Sequence, residues 1–362
     1  MFAKTAAAAA AFLGVAFAAQ GAAALSLTDV WVQRAENGRY LLNWRDRGPV
    51  DVLVSADPDA APEAMTLLSD NDADGRAEVQ VDGGARPYFL LRSETTGETL
   101  RVAERLLPLE GGSNFRDLGG YPTADGKRVK WGLLYRTGAM PSLTDADYAY
   151  LDKLGIKVVC DLRTAEEREM VPTKWRTATE PRYASVEYRA EQLFGGRSSP
   201  DVARAAASSL YSQGPLLLKA QYRQIFDALL AGEAPLTYNC SAGQDRTGIA
   251  SALILSALGV PRHVVYQDYH LSTEYRRPDN ERGDVDYAKY ADTNAMARLF
   301  LQYSKRPGAD RPTPLYDAKG ESFLAATFAE LDKTYGSVEA YLDKELGIDA
   351  ADVARLRALY LE

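Results

Sequence analysis

A cysteine and an arginine separated by five residues, Cys240 and Arg246, carry the clearest indication of covalent chemistry in this sequence. Gly243, midway between them, lets the backbone approach an anion closely. A loop that ends at a helix N-terminus turns its N–H groups toward such an anion, and a guanidinium binds two phosphate oxygens. Such surroundings lower the pKa of a thiol from ~8.5 to roughly 3.5–7.5. The pattern therefore predicts that Cys240 is a thiolate nucleophile at neutral pH.

The residues around this pair decide between two interpretations of Cys240. Cysteine is often a small buried apolar residue, and the spacing to Arg246 alone does not exclude that role. Gly243, Thr247 and Gly248 all fall where a phosphate-binding loop needs them, between a predicted strand and a predicted helix. We also expect Thr247 to donate a hydrogen bond to the thiolate. The combination favours the functional interpretation.

The segment NCSAGQDRTG resembles the signature loop of the cysteine-dependent protein tyrosine phosphatase superfamily. Three further segments resemble one branch of it, the bacterial tyrosine phosphatase family, which includes lipid-phosphatase-like members: GGSNFRDLGGYPTADGKRVKWGLLYRTGAM, VVCDLRTAEERE and TYGSVEAYLDKELGIDAADVARLRALYL. The similarity covers residues 109–362. It implies hydrolysis of phosphomonoesters through a phosphocysteine intermediate, without a metal or another cofactor. Two positions depart from the family: Asn239 stands where histidine is usual, and Gln244 where several members have lysine.

The chemistry of the residues and the resemblance together assign a role to each residue of the loop. Cys240 is expected to attack phosphorus, Arg246 and the loop N–H groups to stabilise the developing charge, and the resemblance makes Asp245 the general acid. Asp161 is the second candidate for the acid, and either aspartate is alternatively a loop anchor. The remaining residues expected to bind the substrate lie inside or directly after the loop: Ser241, Ala242, Gly243, Gln244, Thr247 and Gly248.

Two arginines near the expected site have two open interpretations. Arg163 follows the predicted strand that ends at Asp161, and Arg116 lies in the NFRD run. Either they border the substrate pocket, or they form internal ion pairs that support it.

The elements that would position the loop alternate between helix and strand after residue 109. Helices are predicted at 144–155, 216–231 and 247–258, and strands at 156–162 and 235–239. A last helical stretch, 323–361, is broken at Gly336 and Gly347. This alternation predicts an α/β fold, a parallel sheet with helices on both faces.

Residues 25–108 instead show short runs of alternating apolar residues. Asn37-Gly38 is a strong hairpin signal, and Tyr40, Trp44 and Tyr88 fall at core positions of the predicted strands. The pattern predicts a small all-β sandwich of immunoglobulin or fibronectin III type. We interpret it as a binding or spacing domain whose partner is unknown.

The chain begins with Lys4, an apolar run and small residues up to Ala24. This arrangement predicts a signal peptide at 1–24 and export to the periplasm or the extracellular space; an uncleaved anchor is the alternative. After cleavage no stable membrane span is expected.

The composition narrows the functional classes further. The 362 residues are 46% hydrophobic and 25% charged, with a net charge of −8, which favours a soluble globular protein and argues against nucleic-acid binding. Two histidines and two cysteines are too few for a zinc framework, whereas a metal bound by carboxylates stays an open alternative.

The substrate class and the second cysteine remain open at this point. The resemblance implies phosphorylated proteins or small phosphomonoesters, with phosphotyrosine first and phosphoserine or phosphothreonine possible. A phosphoinositide phosphatase and a non-catalytic phosphate-binding module are the alternatives. Residues 175–212 or 275–282 are candidate lids; the arginines of 275–282 alternatively form a solvated surface. Cys160 is either inert core or the partner of Cys240 in a reversible redox bridge.

Overall fold

The computed structural model describes residues 27–45, 48–194 and 200–362, so the signal peptide predicted at 1–24 lies outside the described residues. Two antiparallel sheets form the amino-terminal part, with strand orders β1-β2-β5 and β4-β3-β6-β7. The strands are β1 (Thr28–Arg34), β2 (Arg39–Arg45), β3 (Val50–Ser55), β4 (Thr66–Asp72), β5 (Arg76–Gln80), β6 (Tyr88–Ser93) and β7 (Thr99–Val102), with short 3₁₀ turns at Glu36–Gly38 and Pro62–Ala64. Apolar side chains from both sheets share one buried cluster.

The predicted hairpin and the predicted aromatic core residues are confirmed. β1 and β2 pair antiparallel across the turn, where Asn37 and Gly38 both adopt positive φ angles of 58° and 76°. Tyr40, Trp44 and Tyr88 are all buried. Alternation places these rings toward the interior, where they pack rather than stack on a ligand.

A third sheet, of five strands, forms the centre of the carboxy-terminal part in the order β11-β10-β12-β9-β8. Its strands are β8 (Arg116–Asp117), β9 (Leu134–Thr137), β10 (Val158–Asp161), β11 (Arg182–Ser185) and β12 (Leu236–Asn239). β11, β10, β12 and β9 pair in parallel, and β8 pairs antiparallel with β9. The edge strand β11 falls in the candidate lid 175–212. The sequence analysis did not predict this strand, because four residues with three exposed side chains give no apolar run.

Helices lie against this sheet, and the chain has the mixed α/β character predicted. Val158 and Cys160 point into the cluster that contains helices α5 and α6, whereas Val159 points into the cluster that contains α1. Successive strand residues face opposite sides, so helices cover both faces. The helices, in chain order, are α1 (Asp145–Asp152), α2 (Ala165–Met170), α3 (Ala190–Phe194), α4 (Pro200–Leu217), α5 (Lys219–Leu230), α6 (Asp245–Ala257), α7 (Arg262–His270), α8 (Ser272–Tyr275), α9 (Pro278–Arg282), α10 (Ala295–Ser304), α11 (Ala325–Tyr335), α12 (Val338–Leu346) and α13 (Ala350–Tyr360), with a 3₁₀ turn at Tyr287–Lys289.

Helix boundaries follow the predicted signals with differences of a few residues. The helix predicted at 144–155 spans Asp145–Asp152. The breaks at Gly336 and Gly347 are confirmed, since both glycines end a helix in the left-handed conformation. The helix predicted at 216–231 begins at Lys219, after α4 has ended. The helix predicted from 247 begins at Asp245, which places Arg246 in its first turn. Among the described residues, no helix is both long and apolar enough to cross a bilayer.

Candidate active site

The loop formed by residues 240–246 lies at the carboxyl edge of the parallel strands. β12 ends at Asn239, which is paired in register with Asp161 of β10 and with Thr137 of β9. α6 begins at Asp245, and its N-terminus closes the loop. Cys240 is buried directly after the strand. The structure thus places the cysteine and the helix N-terminus on one short loop, as predicted.

Carbonyl groups of this loop are held from outside. The Ser241 oxygen accepts a hydrogen bond from the Ala139 N–H at 2.8 Å. The Gly243 oxygen accepts from Asn114 Nδ2 at 2.9 Å and from Arg136 Nη2 at 2.8 Å. Asn114 Nδ2 also donates to the Ala242 oxygen. Three consecutive carbonyls therefore point away from the centre of the loop.

The backbone N–H groups of residues 241–244 are in the opposite situation. None of them donates to an acceptor among the residues that the structure describes. Since backbone N–H groups in a partly buried loop are normally paired, such a set indicates a site for an acceptor-rich ligand.

Gly243 is required by the conformation of the loop. Its φ is +63°, and a Cβ atom there would lie 2.5 Å from backbone atoms of Thr137 and Gly138. Backbone cannot yield to such a contact, so the loop packs against β9 only with glycine at this position.

Arg246 is anchored by a buried glutamate that the sequence analysis did not single out. Glu167 Oε2 and Oε1 accept from Arg246 Nη1 and Nη2, each at 2.7 Å. Nη1 also donates to the Tyr188 hydroxyl and the Leu162 carbonyl oxygen. The Nε–H and one Nη2–H lack an acceptor in the described part of the chain. They lie on one edge of the planar guanidinium, which can bind two oxygens of one phosphoryl group.

Glu167 is ionised in this environment. Burial alone would raise its pKa, but the Arg246 guanidinium and the hydrogen bonds it donates outweigh burial and lower the pKa below the ordinary value. Glu167 also accepts from Ser241 Oγ and from the Thr164 N–H, which makes it the second half of a capping box at the start of α2. One side chain thus couples the helix start to the 240–246 loop.

Asp245 lies half-buried at the start of α6. Its Oδ1 accepts hydrogen bonds from the Tyr211 hydroxyl and, at 3.1 Å, from Gln244 Nε2. The hydroxyl oxygens of Tyr211 and Tyr269 lie 2.5 Å apart. Burial first, and then the Asp245 charge, raise the pKa of Tyr211 well above its ordinary value, so the phenol remains a proton donor. Asp245 Oδ2 is left without a donor among the described residues.

Gln244 is fixed by an arginine from the segment 275–282. Arg276 Nη1 donates to Gln244 Oε1 at 2.7 Å, and Arg276 forms a bidentate pair with Glu281. Because a guanidinium only donates, the Gln244 amide nitrogen must face Asp245. This segment therefore contacts the loop, and the Arg276 side chain is only 16% exposed rather than part of a solvated surface. The other candidate lid, 175–212, supplies Tyr188 and Tyr211; its residues 195–199 lie outside the described residues.

Two of the residues expected to contribute to the site, Thr247 and Gly248, do not make the expected hydrogen bonds. Thr247 Oγ1 is buried and has no hydrogen-bond partner among the described residues, so the predicted hydrogen bond to the Cys240 thiol is absent. The N–H of Gly248 donates to the Gln244 carbonyl inside α6 and is not available to a phosphate. Gly248 instead permits close packing of α6, since a Cβ there would meet the Tyr269 ring at 2.9 Å.

Asp161 and Arg163 form an internal ion pair, the second of the two interpretations for Arg163. Arg163 Nη2 donates to Asp161 Oδ2 at 2.7 Å, and both side chains are buried. Burial would raise the pKa of Asp161, but Arg163 and the Tyr183 hydroxyl hold it below the ordinary value. Asp161 also accepts from Asn239 Nδ2, in the position where the family usually has histidine. A carboxylate held ionised in this way is poorly suited to be the general acid.

Arg116 is likewise in a buried network rather than at a pocket wall. Its guanidinium donates to Asp268 Oδ1 at 3.0 Å and to Asn114 Oδ1. Arg136 donates to the other Asp268 oxygen at 2.6 Å. The two arginines outweigh burial and lower the pKa of Asp268. Because Asn114 and Arg136 both donate to the Gly243 oxygen, this network holds the outer side of the loop.

Cys160 and Cys240 are both free and buried. Burial raises the pKa of Cys160 to about 12. A thiol so weakly acidic is a poor partner for disulfide formation with Cys240, which favours the interpretation of Cys160 as core.

The tyrosine phosphatase family model matches residues 107–362, which include the whole of this site. The chain belongs to the tyrosine phosphatase family. Members of this family are hydrolases that act on phosphomonoesters. The match begins just after the amino-terminal sheets end at Val102.

Curated relatives agree with this assignment. A putative tyrosine-protein phosphatase of Cupriavidus necator is 32% identical over 260 residues, which are 69% of this chain and 86% of the relative. The triple specificity protein phosphatase PtpB of Mycobacterium tuberculosis is 30% identical over 288 residues, 72% of this chain and 100% of the relative. A tyrosine-protein phosphatase of Nostoc commune is 30% identical over 233 residues, 61% of this chain and 72% of the relative.

The sequence analysis missed the residues that hold the loop from other elements, above all Glu167, Asp268 and Tyr211. For Glu167 a signal was available: Thr164-Ala-Glu-Glu167 is a capping-box pattern that fixes a glutamate beside the end of β10. Asp268 and Tyr211 lie within helical segments with no distinguishing neighbours, and only the packing of α7 and α4 brings them to the loop.

Proposed function

We propose that this protein hydrolyses phosphomonoesters, phosphotyrosine foremost, through a phosphocysteine intermediate on Cys240. The observation that carries the proposal is the set of N–H groups at 241–244 that have no acceptor among the described residues, together with the edge of Arg246 that likewise has none there. A phosphoryl group offers equatorial oxygens as acceptors for these donors. The hydrogen bonds stabilise the bound group most strongly in the transition state, where negative charge develops on those oxygens.

In the first step the Cys240 sulfur forms a bond to phosphorus as the bond to the leaving oxygen breaks. The leaving oxygen takes a proton from Asp245, whose Oδ2 has no competing donor among the described residues. Tyr211 and Gln244 hold the other oxygen, which orients the carboxyl group. Water then attacks the phosphocysteine, Asp245 takes its proton, and phosphate leaves with the Cys240 thiolate restored.

Thr247 contributes during this cycle. Its buried hydroxyl has no partner among the described residues, and a buried unpaired hydroxyl carries a free-energy penalty. The thiolate that is released in the second step is a stronger hydrogen-bond acceptor than the neutral thiol. We propose that the hydrogen bond to Cys240 forms at that stage.

The relatives support a protein substrate. Two are named as tyrosine-protein phosphatases, one of them putative, and PtpB as a triple specificity protein phosphatase. We propose phosphotyrosine proteins as the main substrates, with phosphoserine and phosphothreonine as secondary ones. A highly charged inositol phosphate fits less well, because Gln244 is neutral and the nearby Arg276 is already paired with Glu281.

Phosphate release from phosphotyrosine, phosphoserine and phosphoinositide panels tests the proposal. Cys240→Ser is expected to abolish release, whereas the matched change Cys160→Ser, at the other buried cysteine, is expected to leave it intact. Asp245→Asn should lower the rate of hydrolysis of alkyl phosphates more than that of activated aryl phosphates, because only poor leaving groups need protonation by the general acid. Full activity of Cys240→Ser would refute the nucleophile, and equal loss on both substrate types would refute the acid.

We also propose a domain organisation and a location. Residues 109–362 form the catalytic domain on a parallel sheet, and residues 25–108 a sandwich of immunoglobulin or fibronectin III type. The apolar run after Lys4 supports export with cleavage after Ala24. Amino-terminal sequencing of the protein from its native host tests the cleavage, and an intact Met1 would contradict it.

A further inference from the structure

Arg86, from the loop between β5 and β6, is buried against the catalytic part of the chain. Its Nη1 donates to Asp117 Oδ2 at 2.5 Å and to the Tyr135 hydroxyl at 3.0 Å. The same nitrogen lies 3.2 Å from the Tyr88 hydroxyl, and Nη2 donates to the Glu104 carbonyl. Only 4% of Arg86 is exposed. Arg86 precedes the residues 107–362 that match the family model.

Aromatic rings complete the enclosure of this guanidinium. The Arg86 Cζ atom lies 4.9 Å from the ring centroid of Tyr88, 5.8 Å from that of Trp131 and 5.6 Å from that of Tyr135. Little water reaches the pair with Asp117, so its attraction is weakly screened. Removing one partner would leave the other as an uncompensated buried charge.

The two residues that Arg86 joins face each other across two strands. Asp117 of β8 and Tyr135 of β9 are register partners, and the next pair along is Arg116 with Arg136. β8 has only two residues and lies at the sheet edge. Arg86 therefore fixes the relative position of β8 and β9 at one residue pair.

The neighbouring pair is the one that holds the outer side of the active-site loop. Arg136 donates to the Gly243 oxygen, and Arg116 donates to Asn114, whose amide donates to the same oxygen. The Arg116 and Arg136 pair lies on the same two strands as the pair that Arg86 joins. A shift of β8 against β9 therefore moves both donors that orient the Gly243 carbonyl. The N–H groups on the inner side of the loop move with that carbonyl.

We propose that Arg86 is a positioning residue through which the amino-terminal sheets set the geometry of the 240–246 loop; this inference rests on the proposed function. The amino-terminal sheets thus take part in the reaction indirectly, and are more than a spacing or binding unit.

The test compares full-length Arg86→Met and Arg86→Lys with the wild type in steady-state kinetics on p-nitrophenyl phosphate and in inhibition by orthovanadate. We expect Arg86→Met to lower kcat and to raise the vanadate inhibition constant, each by about tenfold, the scale for displacing a preorganised site from a distance. Arg86→Lys, which keeps the charge, should recover part of both losses.

The inhibition constant separates positioning from stability, because it does not depend on the fraction of molecules that is folded. A purely structural role predicts a lower melting temperature with an unchanged vanadate inhibition constant, and that result would overturn the proposal. Arg92→Met is the matched control: Arg92 lies in β6, is 41% exposed and pairs with Asp51, so both parameters should remain those of the wild type.

If Arg86→Met does not fold, Tyr135→Phe tests the positioning role instead. It removes only the hydroxyl that accepts from Arg86 and keeps the ring. We expect a smaller shift, about twofold to threefold, of the vanadate constant in the same direction. An unchanged vanadate constant in Tyr135→Phe would then refute the positioning role while leaving the chemistry assigned to Cys240 untouched.

Discussion

Glu167→Gln provides a sharp test of how Arg246 is held. The glutamate forms two hydrogen bonds of 2.7 Å with the guanidinium and is 1% exposed. Removing one partner of a buried ion pair costs about 3–5 kcal/mol, because the other charge stays buried without compensation. The glutamine amide keeps the volume and one carbonyl acceptor, so we expect a loss in the free energy of unfolding of about 3 kcal/mol at neutral pH.

The pH dependence of this loss has a definite sign. The pKa of Glu167 is lowered in the folded state relative to the ordinary value of about 4.3. Its contribution to stability is therefore complete above that ordinary value and is lost as the pH falls through the folded pKa. The difference between wild type and Glu167→Gln should shrink at the most acidic pH at which both proteins still fold.

Activity should fall together with stability. Deleting one transition-state donor costs about 10²–10³ in kcat; here Arg246 remains but loses its anchor, so we expect a fall of about tenfold to hundredfold in kcat/KM. Urea unfolding and p-nitrophenyl phosphate kinetics measure both effects. Glu187→Gln is the control, because Glu187 is 73% exposed in its pair with Arg168 and should change stability by at most about 0.5 kcal/mol. If Glu167→Gln behaves like this control, the assigned role of the pair is wrong.

Three further changes test other parts of the site. Gly243→Ala should unfold the loop and abolish turnover, whereas Gly232→Ala, at a similar φ of +71° but with open space around it, should cost only about 1 kcal/mol in urea unfolding and keep activity. Tyr211→Phe should reduce kcat on alkyl phosphates by about tenfold while sparing activated aryl phosphates, since it removes a donor that orients Asp245; equal effects on both would contradict this. Cys160→Ser should leave the rate of peroxide inactivation unchanged, because burial raises the pKa of Cys160 to about 12, and a faster rate would revive the redox bridge.

Local signals in the sequence were sufficient for several of the helices and strands and for the loop itself, but not for the edge strand β11. The Asn37-Gly38 turn and the glycines at 336 and 347 were predicted because each requires a backbone conformation that glycine or asparagine adopts at little cost. The start of α6 was predicted two residues late, since Asp245 and Arg246 continue the polar character of the loop into the first turn.

Long-range partners could not be predicted in the same way. Arg163 and Arg116 each had two open interpretations, because the sequence around an arginine is the same whether its side chain faces the substrate or a buried carboxylate. The choice depended on Asp161, two residues away, in one case and on Asp268, 152 residues away, in the other. Thr247 was assigned a hydrogen bond that its buried hydroxyl does not make in this structure.

The sequence by itself determined the chemical identity of the loop: a thiol, a glycine and a guanidinium at fixed spacing between strand and helix. Only the tertiary structure decided how that loop is held, through Glu167 on Arg246, Tyr211 on Asp245 and the strands that Arg86 joins. The physical reason is range. Backbone conformation and capping act over a few residues and leave a pattern in the chain, whereas buried ion pairs and hydrogen bonds join residues whose separation along the chain is set only by the fold.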